Sequence, residues 1–411
     1  MSTLHPLFKS FIQAGFECST QKLRNGARLD LIASTQHDRF VKRDFARLAA
    51  FGIRTIRTAA RWHLIAAAKS KYNFESLGCI LDAAEEAGLE VLLDILHFGW
   101  PDHIQIFSPS FVSEFGRFTH ALAQYLRARD SSCRYITPVN EISYLAWAGG
   151  QDGHIHPNAY GRGHELKCNL IRAAVLSSEI LLNELPRVRL VAPEPVIYIL
   201  GDPDVPGDVE EAHNYTMSQY QAWDMLSGRM EPGLGGKPEY LDIIGINFYA
   251  HNQWFHNGGR LVRKDPRYKP FRSMLHEVWE RYRRPMFVAE TGAEDGERRG
   301  FFEYVCDEVD AAMDGGVPIH GICLYPIINH PGWIDDRHCH NGLWDYADAS
   351  GNRAIYRPLA DSIVHQQERF TRRLYKANDS DRYRPDLFVP SEMGIRVPAA
   401  STLDEPIRAH T

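Results

Sequence analysis

The chain has no run of about 18 apolar residues, so nothing in it reads as a membrane-crossing helix. The N-terminal stretch MSTLHPLFKSFIQAGF lacks a long apolar segment followed by a small-residue cleavage site. There is no excess of positive charge: 46 basic residues face 52 acidic ones, intermixed, for a net charge of −6, which removes the electrostatic footprint of a nucleic-acid or anionic-membrane binder. The seven cysteines, at 18, 79, 133, 168, 306, 323 and 339, never fall in C-x-x-C spacing. Their number is odd and their scatter wide, which excludes a disulfide framework and a cysteine-only zinc site. These absences lead us to expect a soluble, cytoplasmic protein. No repeat of solenoid period and no low-complexity block occurs, and 411 residues fit one large α/β barrel.

What is present is an alternation of helix-period segments with short apolar runs. In RDFARLAAFG, Phe45, Leu48 and Ala49 share a helical face and Gly52 is placed to stop the helix before IRTIRTA. FESLGCILDAAEEAG repeats the plan, with Phe74, Leu77, Leu81 and Ala84 on one stripe and Gly88 before LEVLLDIL. Strands are expected near residues 12–19, 53–59, 89–96, 134–140, 187–193, 241–248, 285–290 and 319–326. Eight such units predict a single (β/α)8 TIM barrel with extended βα loops, spanning 1–365. The longest insert, about 195–240, is expected to be an extended loop with a helix over HNYTMSQYQAWDMLSG on the active-site side. Residues 366–411 are polar and proline-containing, and predict a surface-wrapping or disordered tail.

Two glutamates stand at the C-terminal ends of strand-like runs: Glu141 in ITPVNE and Glu290 in PMFVAE, about 150 residues apart. Parallel barrels carry their chemistry at those ends, so the two carboxylates can meet across a sugar-sized cleft. Retaining glycoside hydrolysis needs such a pair, one carboxyl protonated and one ionised, separated by about 5 to 5.5 Å. Any one glutamate at a strand end is ordinarily a solvated loop carboxylate; two at matching positions point to chemistry.

These residues resemble glycoside hydrolase family 1, the β-glucosidase-like enzymes, over about residues 11–350. ITPVNE is similar to the family's T-x-N-E-P acid/base motif, with an extra residue and with Ile142 at the proline. VAETG resembles the I-T-E-N-G nucleophile motif, with Thr291 at the asparagine, and LHFGWP resembles H-H-F-x-x-P, placing His97 at the second histidine. DIIGINFY is similar to D-F-I-G-I-N-Y-Y and supplies Asn247 and Tyr249. Asp44, Gly52, Arg57 and Trp62 keep the intervals of E-D-x7-G-x4-R-F-S-x-S-W, while Arg43, Thr58, Ala59 and Arg61 depart from it. Gln21 falls ten residues after Phe11, as the family's glycon-binding glutamine does. In the last strand W-S-L-x-D-N-x-E-W becomes YPIINHPGW: Tyr325 stands at the platform tryptophan, Gly332 at the glutamate that grips two glycon hydroxyls, and Trp333 is kept.

The resemblance implies a retaining β-glycosidase acting on a small glycoside or oligosaccharide, with Glu290 as nucleophile and Glu141 as acid/base. It further implies Arg57 and Tyr249 holding Glu290 ionised, and Gln21, His97, Asn140, Asn247, Tyr325 and Trp333 around the sugar, with Trp100, Trp147 and Trp333 offering apolar faces. No cofactor and no metal is expected: His338 and His340 alternate after two aspartates but lack a third dedicated histidine, and the histidines of GHIHP are expected at the rim. The loss of a glutamate at Gly332 leaves the sugar open, with Asp335, Asp336 or Arg337 as candidate replacements for the grip. Transglycosylation on the same site and a non-catalytic glycan-binding barrel are the alternatives, and oligomeric state is left open.

Overall fold

A computed structural model describes residues 6–335 and 337–376 of the chain. Eight parallel strands close into one barrel: β1 (Ile12–Gly15), β2 (Thr55–Ala59), β3 (Glu90–Leu96), β4 (Tyr135–Val139), β5 (Arg189–Pro195), β6 (Ile243–Asn247), β7 (Met286–Thr291) and β8 (Ile319–Leu324). Each strand pairs with its neighbours in chain order, and β1 closes the ring by pairing with both β2 (Ala14 opposite Ile56) and β8 (Ile12 opposite Ile322). The runs are apolar on both faces because one face fills the barrel and the other meets a helix; β2, β4, β6, β7 and β8 are buried along their whole length.

All eight expected strands are present. β1 is shorter than the 12–19 expected, and the close approach of Tyr325 accounts for Gly15 at its end: a Cβ there would fall 2.0 Å from Tyr325 Cδ2. Eight outer helices follow the strands: α1 (His37–Ala50), α2 (Glu75–Glu86), α3 (Ser110–Ala128), α4 (Gly163–Glu184), α5 (Gln221–Leu226), α6 (Phe271–Tyr282), α7 (Glu297–Asp314) and α8 (Arg357–Lys376). α1 buries Val41, Phe45 and Leu48, one stripe at helical spacing. It ends where Gly52 takes φ 75° and Ile53 N–H returns to the Leu48 carbonyl at 3.1 Å; Gly88, at φ 68°, does the same after α2.

The β5–β6 insert lies on the cleft side, but its helix is not one piece. A helix starts earlier than expected, over Asp208–Met217, and a 3-10 turn (Ser218–Tyr220) separates it from α5. The boundary expected at residue 365 falls inside α8, which docks on the barrel. Phe370 is fully buried and stacks on Phe11 at 4.1 Å between centroids, and Arg373 pairs with Asp310 at 2.5 Å and Asp314 at 2.8 Å. The tail from 377 onward lies outside the described residues. No described helix is long and apolar enough to cross a membrane.

Candidate active site

A cleft of about 1600 Å³ opens at the C-terminal ends of the strands. Glu141 and Glu290 both line it, together with Glu17, His97, Tyr249, Tyr325, Trp147 and Trp333. Glu290 is supplied by β7. Glu141 follows β4 by two residues, its backbone in the left-handed region at φ 46° and its N–H bonded to the Pro193 carbonyl of β5 at 3.1 Å. A non-glycine held in that conformation is strained and is kept there by its surroundings.

The two carboxylates have different company. Glu290 Oε1 accepts from Arg57 Nη1 at 2.7 Å, and Oε2 accepts from the Tyr249 hydroxyl at 2.9 Å. Arg57 is 1% exposed and is held in turn by Asp94, through Nε at 3.2 Å and Nη2 at 2.7 Å, and by the Asn140 carbonyl oxygen at 2.6 Å. Glu141 receives a neutral donor, Asn247 Nδ2, at 2.8 Å. Burial raises both carboxyls. For Glu290 the Arg57 charge, His97 and the Tyr249 hydroxyl oppose the rise, while Glu17 adds to it. For Glu141 the negative charges of Glu290 and Glu194 add to it, against Asn247 and the more distant charge of His97, and the group stands well above the ordinary carboxylate range. Glu194, buried on β5 and accepting the Ser143 N–H at 3.0 Å, is pushed up to about 7 by burial.

His97 sits where β3 ends. Its Nδ1 lies 2.9 Å from Asp94 Oδ2 and its Nε2 lies 3.2 Å from the Tyr325 hydroxyl. Burial alone would lower its pKa, but Cys18, Asp94 and Glu17 outweigh burial and raise it well above its ordinary value. The floor of the cleft is therefore a continuous network, from Asp94 through Arg57 and His97 to Glu290 and Tyr325.

The residues expected around the sugar divide into a wall and a backing layer. His97, Tyr249, Tyr325 and Trp333 line the cleft. Asn140, fully buried, supports Arg57; Asn247 supports Glu141; and Gln21, 1% exposed, donates through Nε2 to the Trp333 carbonyl at 3.4 Å. Trp147 is in the wall, but Trp100 is not a sugar platform: it is buried and stacks on His156 at 4.3 Å. The replacement grip expected at Asp335 or Arg337 is absent from the wall, because both Arg337 Nη atoms are engaged by Glu294 at 2.7 and 2.8 Å; Asp336 lies outside the described residues. His338 and His340 stack on each other at 4.4 Å, and His338 meets Asp345, which also accepts from Asn329 and the Tyr346 N–H.

Two acidic residues were not singled out from the sequence. Glu17 and Glu194 lie at or beyond the C-terminal ends of β1 and β5, the same positional signal that marked Glu141 and Glu290. Glu17 Oε1 accepts the Ser19 N–H at 2.9 Å and stands 3.8 Å from His97 Nε2.

Fold and cleft together define a (β/α)8 barrel with acidic residues gathered at its C-terminal face. No protein-family model matches the sequence, and no curated protein matches it. Among solved structures, the chain is similar to the family 1 β-glucosidase from Thermotoga maritima, with a TM-score of 0.72 at 15% identity over 93% of this chain and 100% of that one. It is likewise similar to that organism's β-glucosidase in complex with glucoimidazole (TM-score 0.72, 15% identity, 92% and 100% covered) and with deoxynojirimycin (TM-score 0.73, 15% identity, 89% and 99% covered). At such identity the likeness is one of fold.

Proposed function

We propose that this chain is a retaining β-glycosidase. The observation that carries the reading is the unequal environment of two carboxylates in one cleft: Glu290 has a buried guanidinium and a phenol, Glu141 a single amide and two negative neighbours. Environments that push two acids apart assign the ionised and the protonated role. Glu290 attacks the anomeric carbon as Glu141 gives its proton to the departing oxygen, forming a glycosyl ester on Glu290. Glu141, now a carboxylate, takes a proton from water, which attacks the same carbon and frees Glu290. The fold shared with β-glucosidases supports the same reading.

Sugar hydroxyls meet His97 and Glu17, and Trp333 and Trp147 give apolar faces to the ring and its aglycone. Glu17 supplies, from the first strand's side of the cleft, the carboxylate that the last strand lacks at Gly332. Seven cysteines, all unpaired, fit a reducing compartment, and we place the protein in the cytoplasm.

The test is a panel of 2-deoxy-2-fluoro β-glycosides with activated leaving groups, followed by peptide mapping. The expected result is a single glycosyl adduct on Glu290. Turnover of the parent glycosides with inversion, or labelling at another residue, overturns the assignment.

A further inference from the structure

Beside the cleft, on the first two turns of α4, His164 and Cys168 stand four residues apart and so share a helical face. Glu231 reaches them from the loop after α5. Cys168 Sγ lies 3.5 Å from His164 Nε2 and 3.5 Å from Glu231 Oε2, and His164 Nε2 lies 3.5 Å from Glu231 Oε1. We propose that His164, Cys168 and Glu231 form a binding site for a divalent transition-metal ion of the zinc type, separate from the paired glutamates.

Metal–sulfur bonds of about 2.3 Å and metal–nitrogen or –oxygen bonds of about 2.0 to 2.2 Å, at tetrahedral angles, separate the ligand atoms by roughly 3.4 to 3.6 Å. The separation of Cys168 Sγ from His164 Nε2, and those of the two from opposite oxygens of Glu231, are each 3.5 Å and sit inside that interval, and one ligand atom from each residue lies within 4.8 Å of the others. The set is also chemically apt, since imidazole, thiolate and carboxylate are all zinc ligands, and thiolate discriminates against magnesium and calcium. Without a cation, burial first and the Glu231 carboxylate second raise the pKa of the Cys168 thiol. A dication reverses that balance, with the thiol proton released to solvent.

Glu231 is held in the left-handed region at φ 47° immediately before Pro232, a conformation disfavoured for a non-glycine residue and more so before proline. Two other histidine–carboxylate groups are less apt: Asp208 is taken up by His256, Asn257 and the Asp202 N–H, and Asp345 by Asn329 and the Tyr346 N–H. Neither contains sulfur. Of the nearby cations, Lys167 is turned to Gln221 Oε1 at 2.7 Å, yet its charge and that of Arg172 both reach Cys168 and oppose an ion there.

Three protein ligands leave a fourth position for water. The ion would tie the start of α4 to the loop after α5, and both Gly163 and His164 border the cleft, so the clip would stiffen that wall.

The experiment is titration of untagged, chelator-treated full-length protein with Co2+, then competition with Zn2+. One equivalent is expected to produce a thiolate-to-cobalt charge-transfer band, removed by Zn2+, and Zn2+ is expected to raise the Tm. Cys168→Ser should abolish the band and the Tm rise, and His164→Ala and Glu231→Gln should each weaken Zn2+ binding by at least about tenfold. His338→Ala, with its ring outside this cluster, should leave binding unchanged. The proposal fails if no saturable one-to-one binding occurs at micromolar metal, if Cys168→Ser keeps the band, or if His338→Ala loses it. Circular dichroism of each variant separates lost ligation from lost folding.

Discussion

The surroundings of Glu290 and of Glu141 are built from the same barrel but with opposite electrostatics. Around Glu290, three strands converge: Arg57 from β2, braced by Asp94 from β3, and Tyr249 from the loop after β6. Around Glu141, among the described residues, Asn247 of β6 is the side-chain donor, and Glu194 of β5 adds a negative charge. Burial alone would treat the two carboxyls alike. The difference comes from where one arginine is anchored, and it favours the ionised form of Glu290 over that of Glu141 within a single cleft.

The strongest way to break this contrast is to remove a member of the pair. Glu290→Ala is expected to lower kcat by roughly 10⁴-fold or more on every substrate that turns over, because it removes the carboxylate proposed to form the glycosyl ester. Glu141→Ala is expected to cost about 10²- to 10⁴-fold, and the loss should shrink for aryl glycosides whose leaving group needs no proton. Added azide should restore turnover to the Glu141 variant as a β-glycosyl azide. An α-azide would instead point to an attack without the Glu290 ester.

A milder test alters the brace. Arg57→Lys keeps a charge but loses the fork that holds Asp94, Asn140 and Glu290 together. Glu290 then loses part of the interaction that favours its ionised form, so its pKa rises. The acid limb of the kcat/KM profile should move to higher pH, by about one unit, and Tyr249→Phe should move it in the same direction by less. An unmoved acid limb in both variants means that Arg57 and Tyr249 do not set the ionisation of Glu290. Full removal, Arg57→Met, leaves Asp94 with His97 alone and strips Glu290 of its guanidinium in the barrel interior, and is expected to destabilise the fold by about 3 kcal/mol, measurable by denaturant unfolding.

Much of the barrel was legible because it is written in local pattern. Eight apolar runs, each closed by a helix and, at Gly52 and Gly88, by a left-handed stop, carry their period in the sequence itself. The meeting of Glu141 and Glu290 in one cleft followed from position at strand ends. What local pattern cannot carry is which neighbour a side chain finds across the ring. Trp100 looked like a platform but stacks on His156 below the surface, and Arg337 looked free but is spent on Glu294. Glu17 fell inside the strand expected over 12–19, and only the early end of β1 at Gly15, under the Tyr325 ring, puts it at a strand end. The α8 boundary was missed for the same reason: Phe370 meets Phe11, more than 350 positions away in the chain.

The finest adjustment of the pair lies with Glu194, which touches Glu141 only through its field. Its negative charge raises the Glu141 pKa, so Glu194→Gln should lower that value and move the alkaline limb of the pH profile downward, by less than about one unit, with the acid limb fixed. The same substitution has a stability signature of definite sign. Burial holds Glu194 up to about 7 in the folded protein, above its ordinary value of 4.5, so the native state binds more protons than the unfolded chain between those values and stability falls as pH rises through them. Glutamine keeps an oxygen for the Ser143 N–H and removes the ionisation. The variant should gain stability over the parent at pH 8, by at most a few kcal/mol, and the gain should vanish below about pH 4.5. A gain that persists at low pH would trace the effect to packing, and the charge on Glu194 would then have no part in setting Glu141.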